Sequence, residues 1–171
     1  MAGGEFPNLS KPSEGMEITS PKDAHYNCIG WAADDKVLRF WWPTTLYYWP
    51  RGVAREVSRD AFVAAFQTRG FEPCDDESLE DGYIKIALYE QGGEPTHAAR
   101  QLPDGRWTSK LGKNHDITHN TVRGVEGPLY GRAVLYMRRP IAPAAPPVSP
   151  TSTLHATDGH DVDDGPAPDG S

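Results

Sequence analysis

At Tyr83 the sequence stops reading with a helical period and starts reading as strand. Residues 83–90 are rich in β-formers, Gln91-Gly92-Gly93-Glu94-Pro95 forms a turn, and residues 96–102 resume the strand pattern. Pro103-Asp104-Gly105 is a tight-turn signal. Residues 106–111 supply the next strand, and residues 130–138 supply the last, after a polar loop at 112–120. Ahead of this meander, Ser58 can cap a helix that carries Asp60 in its first turn and Phe62, Val63 and Phe66 on one face. Gly70 closes it in a left-handed conformation. A shorter helix over 28–33 follows Asn27 as N-cap and stops near Asp34-Asp35. Helices first and antiparallel strands after them predict an α+β domain, with short N-terminal helices packed on a small antiparallel sheet.

The strand pattern ends near Pro140, and so does the means to bury anything. Residues 141–171 hold six prolines, five aspartates, no Lys or Arg and no aromatic residue, which concentrates −5 of the net charge of −7 there. Such a segment cannot offset the entropy of ordering it. The expectation is a single domain over 1–140 and a disordered, Pro/Ala-rich acidic tail over 141–171, where His155 and His160 are solvated. Residues 5–22, with Pro7, Pro12 and Pro21, read as extended chain laid over the domain.

The same composition excludes several function classes. An acidic chain of pI about 5.3 lacks the basic face of a nucleic-acid binder. No apolar run reaches the roughly 18 residues of a membrane span. The first residues, Met1 to Pro7, have neither the basic nor the apolar stretch of a secretory signal. Two cysteines cannot make a disulfide framework. The expected setting is the cytoplasm, with no nucleic-acid or membrane partner.

Chemistry concentrates at Cys28. A cysteine in the first turn of a helix, behind an N-cap, faces unpaired N–H donors that lower a thiol pKa and can hold an oxyanion. Its pKa is expected below about 8.5. Cys74 lies beside Asp75, Asp76 and Glu77, whose like charge raises a thiol pKa. A thiolate nucleophile needs an imidazole within reach, and His97 heads a predicted strand after the Gly-rich turn. Taken singly, Cys28 reads equally as a small buried hydrophobe and His97 as a satisfied strand-end histidine; the pair moves both toward function.

The order of a helix-start cysteine, a strand, a Gly-rich turn, a histidine heading the next strand, and a hairpin resembles the papain-like superfamily. The NlpC-type cysteine peptidases and amidases are the branch it most resembles. The stretches that carry the likeness are Tyr83-Ile84-Lys85-Ile86-Ala87-Leu88-Tyr89, Thr96-His97-Ala98-Ala99-Arg100-Gln101-Leu102 and Asp104-Gly105-Arg106-Trp107-Thr108-Ser109-Lys110, and it spans about residues 24–138. The resemblance implies Cys28 as nucleophile and His97 as general base. Its third residue, which orients the imidazole, would be Ser109 or Asp116, with His115 and His119 in the loop beyond. The wording Asn27-Cys28-Ile29-Gly30-Trp31-Ala32, joined to Thr108-Ser109-Lys110-Leu111-Gly112 and Asp116-Ile117-Thr118-His119, also resembles an uncharacterised bacterial domain family of unassigned activity.

Two functional expectations follow. The first is a cysteine hydrolase acting on a peptide- or amide-like substrate, with Cys28, His97 and Asp116 or Ser109 in catalysis and Asn27, Trp31, Trp42 and Trp107 around the substrate. The second is an inactive papain-like module that holds a protein partner. The aromatic block over 40–50, broken by Pro43 and Pro50, cannot be one helix; Trp41 is assigned to the core, while Trp42 and Tyr48 stay open between core and groove. His115 and His119 stand four apart, a metal pair on a helix, but the surrounding glycines place them in a loop. No metal or cofactor is expected.

Overall fold

A computed structural model describes residues 5–35 and 37–141. The expectation for the tail beyond Ile141, including His155 and His160, lies outside the described residues. The elements run in the order β1 (Glu17–Ile18), α1 (Cys28–Ala32), α2 (Arg59–Gln67), β2 (Glu72–Cys74), β3 (Tyr83–Gln91), β4 (Glu94–Gln101), β5 (Trp107–Lys110), β6 (Asp116–His119) and β7 (Arg132–Pro140). Among the described residues the strands form one antiparallel sheet of order β1-β6-β5-β4-β3-β7-β2. The fold is α+β, with few helices on a small antiparallel sheet.

The local signals explain the elements. The Asn27 side chain accepts from the Gly30 N–H and starts α1, and the Ser58 hydroxyl accepts from the Ala61 N–H and starts α2. After α2, Phe71 N–H donates to the Phe66 carbonyl and Gly70 N–H to that of Gln67, with Gly70 at φ 85°. That pairing is a glycine-dependent helix stop. Gly92 and Gly93, both at positive φ, make the two-residue turn between β3 and β4.

Alternation along β3 and β4 divides the interior into two cores, one on each face of the sheet. Ile86, Leu88 and Ala98 face the helices, where they meet Ile29, Trp41, Trp49, Phe62, Phe66 and Phe71. Ala87, Tyr89 and Ala99 face the other way and meet Trp107, Ile117, Val122, Val125 and Tyr130. Phe6 and Leu9 close this second core, so the proline-rich N-terminal segment is laid over the domain, but as successive turns and a 3-10 helix at Pro12–Glu14 where extended chain was expected.

One expectation fails here. The polar loop expected over 112–120 contains β6, whose four residues are all buried and pair with β5 from Trp107↔His119 to Lys110↔Asp116. A strand buried on both faces with polar side chains lacks the apolar alternation that marks a half-buried strand. The edge strands β1 and β2 are two and three residues long, too short to leave a period. Trp41 is fully buried as expected, while Trp42 and Tyr48 are half-buried at the edge of the first core.

Candidate active site

β5 pairs with β4 only at Arg100 and Gln101, which leaves the first part of β4 without a strand on that side. The start of α1 fills this gap. The Cys28 sulfur accepts a hydrogen bond from the Ala98 backbone N–H, with the N–H dipoles of Cys28 and Ile29 also turned toward it. The sulfur thus sits by the backbone of Ala98, the residue after His97, while the Cys28 and His97 side chains are not hydrogen-bonded to each other. Cys28 belongs to the helix-side core, whereas His97 pairs with Tyr89 and points with it into the second core.

Gly30 is needed for this fit. A Cβ there would lie 2.3 Å from the Arg39 carbonyl oxygen and 3.0 Å from the Trp41 ring, so only glycine lets the chain over 39–41 cross α1 so closely. Asn27 fastens the crossing. Its amide NH2 donates to the Trp41 carbonyl at 2.7 Å, and its oxygen accepts from the Trp41 N–H at 3.0 Å as well as from Gly30. With its oxygen and its NH2 engaged inside the fold, Asn27 positions the cysteine, and it stands beside Cys28 on the wall of a cleft.

His97 is fully buried. Its Nε2 lies 3.1 Å from Ser109 Oγ, and Ser109 Oγ lies 2.8 Å from His119 Nε2. His119 Nδ1 in turn is 2.7 Å from the Thr121 carbonyl oxygen. Among the described residues, His97 Nδ1 has no hydrogen-bond partner at all. The ring is held between Tyr130, stacked at 4.0 Å and 9°, and Tyr89, edge-on at 5.2 Å. Burial pushes the His97 pKa well below 6.5, with the neighbouring His119 adding to the effect. Burial also lowers His119, against the upward pull of the Thr121 hydrogen bond and of Glu14.

The thiol behaves oppositely to the sequence expectation. Burial pushes Cys28 up to about 11, outweighing the N–H donors of Ala98, Ile29 and Cys28 itself. Burial thus favours the neutral form of both groups. Cys74 is raised as well, chiefly by burial, while Lys85 pulls it down; its acidic neighbours are a minor cause.

Asp116 does not orient His97. Its Oδ2 accepts from the Tyr26 hydroxyl at 2.6 Å, and burial followed by that hydrogen bond pushes Tyr26 up to about 12. On the same side Lys110 donates to the carbonyls of Asp23, at 2.6 Å, and Asn114, and stands over the Tyr26 ring at 4.7 Å. This cluster ties the segment before α1 to the β5–β6 hairpin. His115, expected in the same loop, contacts the Ser20 carbonyl at 2.9 Å.

The four expected substrate-side residues also separate. Trp107 is buried in the second core at 2% exposure, so it packs between strands. Trp31 is half-buried, its indole N–H donating to Thr108 Oγ1 at 3.1 Å under the Arg100 guanidinium. Trp42 remains in place. Together with Cys28, Phe40, Tyr47, Thr96 and Tyr130 it lines an open cleft of about 340 Å³. Gly112 and Tyr130 link this cleft to a larger apolar groove of about 600 Å³ that includes Leu9, Met16, Ile18 and Leu129.

Tyr130, Glu14 and the role of His119 escaped the sequence reading. His119 was visible only as one of two histidines in a presumed loop, and β6 is what carries it to Ser109. Among the described residues no group of three His, Cys, Asp or Glu side chains is arranged to hold a metal ion, and no helix is long and apolar enough to cross a membrane.

Comparison with known proteins adds one finding. Residues 17–138 match the model of a family described as a domain of unknown function (DUF7689). No curated protein and no solved structure matches the chain.

Proposed function

The chain belongs to the DUF7689 family, and for this member we propose a papain-like, NlpC-type cysteine hydrolase that cleaves an amide or peptide bond by acyl transfer. The observation that carries the reading is the unpartnered Nδ1 of His97. Nδ1 is buried and unpartnered, and the next residue, Ala98, turns its N–H to a sulfur on the wall of a cleft. A buried acceptor without a donor costs roughly 1–3 kcal/mol, and a site that needs a base offers a reason to bear it.

In this reading His97 Nδ1 takes the proton of the Cys28 thiol as the sulfur forms a bond to the substrate carbonyl carbon. The raised thiol and the depressed imidazole suit proton transfer during attack, in place of a resting ion pair. The carbonyl oxygen, now negative, is held by the N–H groups around the sulfur. When the tetrahedral centre collapses, the C–N bond breaks and the amine leaves with the proton from Nδ1. Water then attacks the thioester, giving a proton to Nδ1. The C–S bond breaks, the acid departs and the sulfur recovers its proton. Trp42, Phe40 and Tyr47 favour an aromatic or aliphatic group next to the scissile bond.

Acylation with p-nitrophenyl esters of increasing apolar size, read by intact mass and peptide mapping, tests the reading. A mass increment on Cys28 that disappears in Cys28→Ala and His97→Gln is expected. Esters that acylate Cys74 and never Cys28 would sink it. One observation favours the inactive module instead: Tyr130 lies flat on His97 at 4.0 Å, and with Cys28 inert the cleft would serve to hold an aromatic side chain of a partner protein.

A further inference from the structure

We propose that Ser109 and His119 form a one-way hydrogen-bond relay that locks His97 in the Nε2–H tautomer, making His119 a positioning residue for the base. The inference rests on the hydrolase reading for its purpose, but its geometry stands alone.

The direction follows from one fixed end. A carbonyl oxygen only accepts, so His119 Nδ1, 2.7 Å from the Thr121 carbonyl, carries the hydrogen. His119 is neutral in its buried setting, and its Nε2 is then a bare acceptor. The Ser109 hydroxyl, 2.8 Å away, must donate to it. A serine hydroxyl has one hydrogen, so Ser109 Oγ can only accept from His97, and His97 Nε2, at 3.1 Å, carries the hydrogen. The lone pair is thereby delivered to Nδ1, the atom without a partner. Reversing any link would place two hydrogens or two lone pairs against each other in a dry interior, at a cost of the order of an unmade hydrogen bond.

The far end is built as firmly as the near one. Glu14, itself buried, accepts from the Thr121 N–H at 3.1 Å and the Thr121 hydroxyl at 2.8 Å, which fixes the carbonyl that anchors His119. Gly124 leaves the space for both: a Cβ there would lie 2.9 Å from Glu14 Oε2 and 3.0 Å from His119 Nδ1. The relay takes the place of the carboxylate that usually orients a catalytic imidazole, which accounts for Asp116 being committed to Tyr26.

Long-range proton–nitrogen correlation spectra of the full chain, with ring nitrogens labelled, read the tautomers directly. The expected result is His97 protonated on Nε2 and His119 protonated on Nδ1. In His119→Phe, which keeps bulk and removes the acceptor, His97 becomes a mixture of tautomers; His119→Gln, which returns an acceptor near the Nε2 position, restores one. Ser109→Ala gives the same mixture and serves if His119→Phe does not fold. Where acylation of Cys28 is measurable, His119→Phe slows its maximal rate by about tenfold or more with the half-saturating ester concentration unchanged, and His119→Gln recovers it. His97 protonated on Nδ1, or a His97 tautomer indifferent to both His119→Phe and Ser109→Ala, would overturn the relay. The expected tautomers with an inert Cys28 would keep the relay and remove the hydrolase. Acylation that needs Cys28 and His97 but ignores Ser109→Ala would do the reverse.

Discussion

The two faces of the sheet solve burial differently. The helix-side core is filled with Ile86, Leu88, Phe62, Phe66, Phe71 and Trp41, and the polar handle of Trp41, its indole N–H, donates to Asp35 at 2.9 Å. The opposite core holds Trp107, Ile117 and Val125 but also takes in His97, Ser109, His119 and Glu14, with the Tyr89 hydroxyl donating to the Val122 carbonyl at 2.6 Å. Apolar burial is non-directional and tolerant, whereas a buried polar chain is stable only when every link points the right way. The first face holds the fold together, and the second fixes which nitrogen of His97 is left without a partner.

Truncation on the apolar face should have the largest effect. Phe62→Ala, at a fully buried position, is expected to cost about 3–5 kcal/mol in denaturant unfolding. Tyr89→Phe keeps the ring and strands the Val122 carbonyl, so a loss of about 1–3 kcal/mol is expected. If Tyr89→Phe cost nothing, the polar face would be looser than the distances imply.

Acid should single out the second face. The folded pKa of His97 and of His119 lies below the unfolded value of 6.5, so below about pH 6.5 the unfolded chain binds protons that the folded chain refuses. Stability is then fully present above pH 6.5 and is lost as pH falls toward the folded pKa values, with a limiting slope near 1.4 kcal/mol per pH unit for each group. Glu14 beside His119 moderates its share. His97→Gln should flatten the slope seen in unfolding midpoints between pH 6.5 and 5, and an unchanged slope would mean that the ring is open to solvent.

The fold was legible where one property dominated. The caps Asn27 and Ser58, the Gly92-Gly93 turn and the long strands β3, β4 and β7 follow from local propensity and the two-residue period. Strand β6 was not, because Asp116, Thr118 and His119 are buried by hydrogen bonding and carry no apolar pattern. The site was half legible. Cys28 behind its cap, His97 at the strand head and Ser109 on the next strand stood out, yet the relay to His119 depends on register across β5 and β6, which no local spacing encodes. The thiol pKa was misjudged because a cap and N–H donors are visible in sequence and burial is not.

That reversal gives the smallest effect, a difference in order. With Cys28 raised to about 11 by burial and Cys74 half-buried, iodoacetamide at neutral pH should modify Cys74 first. Because the folded pKa of Cys28 exceeds its unfolded value of about 9, the chain loses stability as pH rises from 9 toward 11, and Cys28→Ser should remove that part of the alkaline loss. Early labelling of Cys28 would show a thiol more open than its place in the core allows.

The proposed pairing of Cys28 with His97 is tested most directly by the rate of Cys28 acylation as a function of pH, in the wild type and in His97→Gln. With His97 as the base, the wild-type rate should be level across neutral pH and fall only where His97 becomes protonated, below pH 6.5. His97→Gln should then lose about 100-fold or more. A rate that climbs tenfold per pH unit toward pH 11 alike in both proteins would be that of a solitary buried thiol, and would contradict the pairing.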